Sequence, residues 1–302
     1  MTALLTTERE IIGKKIAWIA LISNIILTVG KIIIGIAGNS GSVFADGIHS
    51  AADIVASVAV IAVVGIANKP PDKDHPFGHG KAEVISEGIV GIILFLVSIY
   101  IIIEAALAFA GEPSRPEFIA MYAALFSFIA KSLLYRQSMN MGEKYNSRAI
   151  IAIAYDHKAD IVASLAAFFG VLLAIAGRKF AIAPLLYADA AASIIVAVFI
   201  FRLAKKLIVS SVDILMEKNV DENIIEQYKT VLDRFGEVKR IDRIRARTHG
   251  HYILLDLRIS LDHSLTIKQG HDIAHEIKNN IEERFPEVTE VFIHINPYFP
   301  EE

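Results

Sequence analysis

Apolar runs separated by short polar turns fill the first two-thirds of the chain, and the last third abandons that pattern for shorter, amphipathic segments. A helical membrane span needs about 20 mostly apolar residues. Six segments meet that length: 16–37, 42–67, 84–110, 118–139, 149–176 and 186–209. The connections are turn-like: Gly38-Asn39-Ser40-Gly41, the Pro70-Pro71 loop, the Gly111 to Pro116 stretch, the Asn146-Ser147 region, and Gly177-Arg178-Lys179. Beyond Asn219 the periodicity predicts a helix over 221–235, strands over 238–247 and 251–261, a helix over 266–285 and a strand over 288–296. The expected architecture is an α-helical membrane protein of six spans followed by a small αββαβ domain with helices on one face of a sheet. The implied boundaries are an N-terminal segment 1–15, a membrane domain 16–213 and a C-terminal domain 214–302.

Composition strengthens this picture. Hydrophobic residues make up 54% of the 302 positions, above the roughly 45–50% of soluble domains, and the mean hydropathy is +0.49. A net charge of −3 gives no ground for nucleic-acid binding. The first apolar run exceeds the roughly 7–15 residues of a signal-peptide core, so it reads as a retained helix. Lys and Arg concentrate on one set of flanks (Arg9, Lys14, Lys15, Lys69, Lys73, Lys81, Arg136, Lys144, Arg148, Arg202, Lys205, Lys206), whereas the opposite loops hold Arg115, Arg178 and Lys179. That bias places both termini in the cytoplasm, with the plasma (inner) membrane as the expected location and lipid as the surrounding partner.

The chain has no cysteine, so a metal site here must be built from His, carboxylate and amide groups. The second and fifth apolar segments supply them in a repeated pattern. His49-Ser-Ala-Ala-Asp53-Ile-Val-Ala-Ser57 is echoed by Asp156-His-Lys-Ala-Asp160-Ile-Val-Ala-Ser164. Four-residue spacing puts His49 with Asp53, and Asp156 with Asp160, on one face of each helix. The expected topology runs the two helices in opposite directions, as in the inverted repeats of transporters, whose binding sites lie near the midplane between repeats. A single intramembrane His is as readily a hydrogen-bonded packing residue as a ligand. Four ionisable residues in two repeated pairs, each costing about 2.5–3.5 kcal/mol on insertion scales, point to a bound dication instead. Asp46, one turn before His49, fits either a ligand or an outer-vestibule carboxylate, while His157 and Lys158 read as packing or a local ion pair. The loop from Pro71 to Lys81 gathers Asp72, Asp74, His75 and His79, which suits either a metal or plain solvated charge. The histidines of the last third are scattered, with His271 and His275 sharing a helix face.

These features together resemble the cation diffusion facilitator family over almost the whole chain. The resemblance is carried by the paired four-spaced residues in the second and fifth segments, the stretch from Asp72 to Glu83, the six spans and the αββαβ domain. The approach Asn146-Ser147-Arg148-Ala149-Ile150-Ile151 and the run Tyr155 to Asp160 are most similar to manganese-exporting and magnetosome-type members. The resemblance implies a homodimer or heterodimer, metal/proton antiport and a metallochaperone-like cytoplasmic domain. It implies a transport site of His49, Asp53, Asp156 and Asp160, a loop site of Asp72, His75 and His79, and a charge interlock between Lys81 and Asp213. In the cytoplasmic domain it implies ligands at Asp242, Asp256, His271, His294 and Asn296. Asn296 stands where a carboxylate would be, which weighs against a tight binuclear zinc site.

One imidazole with three carboxylates is a harder donor set than a His-rich one, favouring Mn(II) or Fe(II), with Zn(II) as competitor. Ligands must be deprotonated to bind metal, so metal and protons exclude one another and antiport is chemically available. The expected function is export of a divalent transition metal from the cytoplasm, with metal and protons as cargo and no resident cofactor. The alternative is a non-transporting, metal-sensing partner or scaffold subunit. No nucleophile–base array suggests an enzyme.

Overall fold

In a computed structural model, the described backbone covers residues 2–144 and 148–300, and the described side chains are those of 16, 18–55, 58, 59, 62–144, 150, 151 and 153–300. Six long helices come first: α1 (Thr2–Ala37), α2 (Gly41–Ala67), α3 (Lys81–Ala110), α4 (Phe118–Lys144), α5 (Arg148–Lys179) and α6 (Ala188–Leu215). Among the described residues, α1, α3, α4, α5 and α6 contain stretches long and apolar enough to cross a membrane. Helix α2 occupies the sixth expected position, with side chains 56, 57, 60 and 61 outside the described set. The expected turn at Asn146-Ser147 lies outside the described residues. Most helices run past their apolar cores into polar flanks, because Lys, Glu and Arg are good helix formers and lose nothing by leaving the bilayer. Helix α1 starts at Thr2, so the expected N-terminal tail is a helical extension. Helix α6 begins two residues later than the apolar run, because Pro184 opens a short 3-10 turn, Ala183–Tyr187, ahead of it.

The chain divides into two compact units: residues 1–59 with 89–207, and residues 60–88 with 208–302. In the first, the interior is built from small side chains. Ala120, Ala124, Ala167, Val43 and Val171 are fully buried in one cluster, and Ala45, Ala163, Ala197 and Ala204 in another. Small residues let helix backbones approach closely, which is how helices pack when lipid competes equally for apolar surface. Large side chains such as Ile22, Ile26, Leu96, Phe126 and Leu133 point outward, as a lipid-facing surface requires.

The second unit holds α7 (Glu222–Leu232), β1 (Val238–His249), β2 (Tyr252–Asp262), α8 (Ile267–Arg284) and β3 (Val288–Tyr298), the αββαβ order read from the sequence. The sheet order is β1-β2-β3, with β1 and β2 antiparallel and β2 and β3 parallel. Asp221 caps α7 through the Asn223 N–H, and Thr266 with Gln269 forms a capping box on α8. Tyr228, Leu232, Ile277 and Ile281 of the helices meet Leu255, Leu257, Ile259 and Leu261 of β2 in one core. Each such aliphatic side chain contributes about 1.5–3 kcal/mol by leaving water.

Candidate metal centre

Helices α2 and α5 bring their repeated pairs into one electrostatic neighbourhood. His49 interacts with Asp160 and Asp46, and Asp53 interacts with Asp160 and Asp156. His49 and Asp160 are buried, Asp53 is half-buried and Asp156 is exposed. His49 Nδ1 is buried with no hydrogen-bond partner, an orphan that suits a side chain built to receive a ligand. No three of the four place their ligand atoms within 4.8 Å of one another; among the described residues that arrangement occurs only in the loop described below. The quartet is therefore a neighbourhood, not an assembled coordination sphere.

What holds Asp160 is a lysine that the spacing of motifs did not single out. Lys131 of α4, fully buried, pairs with Asp160 and donates to Asn24 Oδ1 of α1 at 2.6 Å. Lys31 of α1 makes a matching pair with Asp46 of α2, 3.0 Å apart and 2% and 0% exposed, and donates to Ser50 Oγ at 2.9 Å. Ser50 in turn donates to Asp160 at 3.2 Å, and Ser164 of α5 to Asp46 at 2.7 Å. Asp46 is thus no exposed vestibule carboxylate; it is a buried anion whose Oδ2 ties α1, α2 and α5 while its Oδ1 has no hydrogen-bond partner among the described residues. His157 is buried with both ring nitrogens unpartnered, and Lys158 sits over the Tyr155 ring at 5.8 Å. The signal that could have found the lysines is their isolation: each is a single intramembrane cation in an apolar run, which demands a partner.

The loop between α2 and α3 is different. Asp72, His75 and His79 place one ligand atom each within 4.8 Å of the others. Asp72 accepts the backbone N–H of His75 at 2.7 Å and of Asp74 at 3.0 Å, a local turn that aims the carboxylate. The His75 backbone donor first, then that of Asp74 with the two imidazoles, hold its carboxyl below the ordinary range against an opposing desolvation. Its oxygens lie 3.4 Å from His75 Nδ1 and 3.3 Å from His79 Nε2. One carboxylate and two imidazoles fit a divalent metal well. The loop is fastened to the β1–β2 hairpin: Tyr252 donates its hydroxyl to the Phe77 carbonyl at 2.6 Å. Gly80 and Gly250 face each other so closely that a Cβ on Gly80 would lie 2.2 Å from the His249 carbonyl.

The expected Lys81–Asp213 interlock is replaced. Lys81 pairs with Glu217, which also meets Arg247 at 2.7 Å, and Asp213 pairs with Lys218. The cause is local: Glu217 adopts φ 62° just past the end of α6, turning the chain so that its side chain reaches Lys81. Burial pushes the Glu217 carboxyl up, but the hydrogen bond and charge of Lys81, with Arg247 and His249, outweigh it and hold the group below its usual range.

In the cytoplasmic domain the expected five-residue set is split. Asp242 lies where the β1 register shifts, between Ile241 and Arg243, and a bulge re-aims its side chain. It accepts from Ser260 at 2.7 Å, Asn296 at 2.8 Å and Arg240 at 2.6 Å. Burial raises the Asp242 carboxyl and these three donors more than reverse it. His294 Nε2 lies 3.1 Å from Asn296 Oδ1, completing a row Asp242–Asn296–His294. Asp256 is held by Arg247 at 3.2 Å. His271 sits exposed on α8 with His275, ring centres 6.0 Å apart. Among the described residues these groups form no trio of His and carboxylate ligand atoms within 4.8 Å. Asn296 braces Asp242 through its Nδ2 and turns its Oδ1, the atom an amide offers a metal, toward His294.

Two family models agree with this architecture. Residues 17–216 match the cation efflux transmembrane domain, and residues 220–298 match the cation efflux protein cytoplasmic domain. The chain belongs to the cation efflux family, and is accordingly a multi-pass membrane transporter and not an enzyme. It is 65% identical to the manganese efflux system protein MneP of Bacillus subtilis (strain 168) over 98% of this chain and 100% of that one. It is 30% identical to the magnetosome protein MamB of Magnetospira sp. (strain QH-2), over 94% of each chain. Among solved structures, the metal-bound C-terminal domain of the CzcD transporter from Thermotoga maritima is 25% identical, with a TM-score of 0.24 over 25% of this chain and 87% of that one.

Proposed function

We propose that the chain exports Mn(II) from the cytoplasm in exchange for protons, through His49, Asp53, Asp156 and Asp160. The observation that carries this reading is the pair of four-spaced ionisable residues facing one another from α2 and α5, inside the part of the chain that matches the efflux transmembrane domain. One imidazole and three carboxylates suit a hard dication, and the 65% identity to a protein named for manganese efflux supports Mn(II) as cargo. Asp53 and Asp156 are the accessible half of the quartet and meet the ion first; His49 and Asp160 are the buried half and complete its shell. Metal and protons compete for these groups, so reprotonation on the far side releases the ion. Rocking of one repeat against the other switches access.

Asp72, His75 and His79 hold a second ion at the cytoplasmic mouth, and the cytoplasmic domain joins two copies into a homodimer with both termini inside. In proteoliposomes, Mn(II) uptake coupled to proton release is expected from the intact chain, with Mn(II) outcompeting Zn(II), Co(II) and Cd(II) as a transported ion. Asp53→Ala should abolish both fluxes. Undiminished Mn(II)-driven proton flux in that variant would falsify the assignment.

A further inference from the structure

We propose that Lys31 and Lys131 are tethered counter-cations of the transport site, and that an incoming divalent metal takes Asp160 by displacing the Lys131 ammonium from it. The inference rests on the metal-site reading above and goes beyond it by assigning the two residues that set the site's charge.

Both lysines are buried among the aliphatic residues of the bundle, at 2% and 0% exposure. A buried ammonium is costly unless a carboxylate meets it, and each meets one: Lys31 with Asp46, Lys131 with Asp160. The two pairs are laid out in parallel. In each half of the bundle, the first helix (α1, α4) carries the lysine and the second (α2, α5) carries its carboxylate. The pairs are also cross-linked between halves. Lys131 reaches Asn24 of α1, Ser50 of α2 reaches Asp160, and Ser164 of α5 reaches Asp46 while lying 3.0 Å from Ser127 of α4.

Formal charge then says what the lysines do. With Asp53, Asp156 and Asp160 ionised, as coordination requires, and Asp46 ionised in its pair with Lys31, the four carboxylates carry −4 and the two lysines +2. The remainder is −2, the charge one dication neutralises. Without the lysines the same pocket would call for two dications in a low-dielectric interior, where unpaired charge is expensive. Lys131 stands apart from Lys31, because its carboxylate belongs to the quartet whereas Asp46 does not. Asp160 cannot give the same lone pairs to an ammonium and to a metal. Lys131 and an arriving metal therefore compete for Asp160, whose quartet is a neighbourhood and not a gathered shell. When metal enters, Lys131 keeps its hydrogen bond to Asn24 and its charge stays beside the ion, repelling it. That repulsion limits affinity and favours release, as a transporter needs and a storage site does not.

The test measures Mn(II) binding by calorimetry on the full-length protein in detergent, in a His75→Ala/His79→Ala background that removes the loop site, with initial transport rates from proteoliposomes. Lys131→Gln keeps a hydrogen-bond donor and removes the charge. Binding is expected to tighten by at least about tenfold, while transport slows because release slows. Unchanged or weaker binding in a folded Lys131→Gln protein overturns the proposal. Lys131→Arg serves where the glutamine variant cannot be purified. Its guanidinium holds a carboxylate bidentately, so Mn(II) binding is expected to weaken by about tenfold, and unchanged affinity again refutes displacement. Asp53→Ala in the same background separates the two readings. Loss of Mn(II) binding there upholds the site whatever the lysine variants do, and retention of binding removes the site itself.

Discussion

The two candidate sets of metal ligands in this chain, the loop trio and the membrane quartet, are built on opposite principles. The loop trio Asp72, His75 and His79 is largely solvent-facing, yet its ligand atoms are gathered within 4.8 Å, with two backbone N–H donors aiming the Asp72 carboxylate and the hairpin behind holding the loop backbone at Phe77. The membrane quartet is partly buried and ungathered, with its deepest carboxylate tied to a lysine. A site that only holds an ion gains from being finished in advance. One that must load and unload gains from having an alternative partner for each ligand, so that neither the full nor the empty state is stranded.

This contrast can be broken experimentally, most forcefully at the loop. His75→Ala with His79→Ala should remove one Mn(II) per chain from the binding stoichiometry and weaken what remains there by about 100-fold or more. A chain that still binds the same number of ions after this change would show that the trio is only solvated charge. Measurement is by equilibrium dialysis on the full-length protein.

A pH experiment is the next most sensitive. His249 is buried beneath the loop, and burial, then the charges of Lys81 and Arg247, lower its basicity below the ordinary value of 6.5 despite Glu217 and a hydrogen bond with Gly78. The unfolded chain therefore binds more protons at this site than the folded chain as pH falls through 6.5, so folding stability is lost on acidification below that value. The slope from one such group is at most about 1.4 kcal/mol per pH unit. Thermal melts of the intact chain between pH 7.5 and 5.5 should decline less steeply for His249→Gln; parallel declines would remove His249 from the account. The smallest effect belongs to Tyr252→Phe. It deletes the 2.6 Å bond to the Phe77 carbonyl, should cost about 0.5–1.5 kcal/mol, and should loosen Mn(II) at the loop a fewfold. Loop affinity identical to that of the parent chain would mean the hairpin does not position the trio.

Much of this was readable in the chain itself. The spans followed from apolar run length, the αββαβ order from a switch between two periodicities, and the quartet from helical spacing, since residues four apart must share a face. The loop trio was legible as composition but not as geometry, because only the Asp72 turn decides that the three side chains converge. Three things were hidden. Lys31 and Lys131 belong to no motif, and their meaning comes from carboxylates contributed by other helices. The Lys81 partner shifted from Asp213 to Glu217 because a positive φ after α6 redirects the chain, and no pattern of polarity encodes that. In the cytoplasmic domain, residue identity suggested a single ligand set, whereas a register shift in β1 delivered Asp242 to Asn296 and left Asp256 with Arg247.

At the end of the bundle that carries the α1–α2 turn, Asp189 is 1% exposed and accepts hydrogen bonds from the Ser40 hydroxyl, the Gly41 N–H, the Ser42 N–H and hydroxyl, and the Ser114 hydroxyl. One carboxylate thereby rivets the start of α6 to the turn before α2 and to the linker before α4. Mechanically, tilting any one of these segments alone would strip a buried anion of part of its solvation. Rocking of one repeat against the other therefore meets its stiffest link where Asp189 joins them, and at this end it must either pivot on that cluster or exchange its hydrogen bonds.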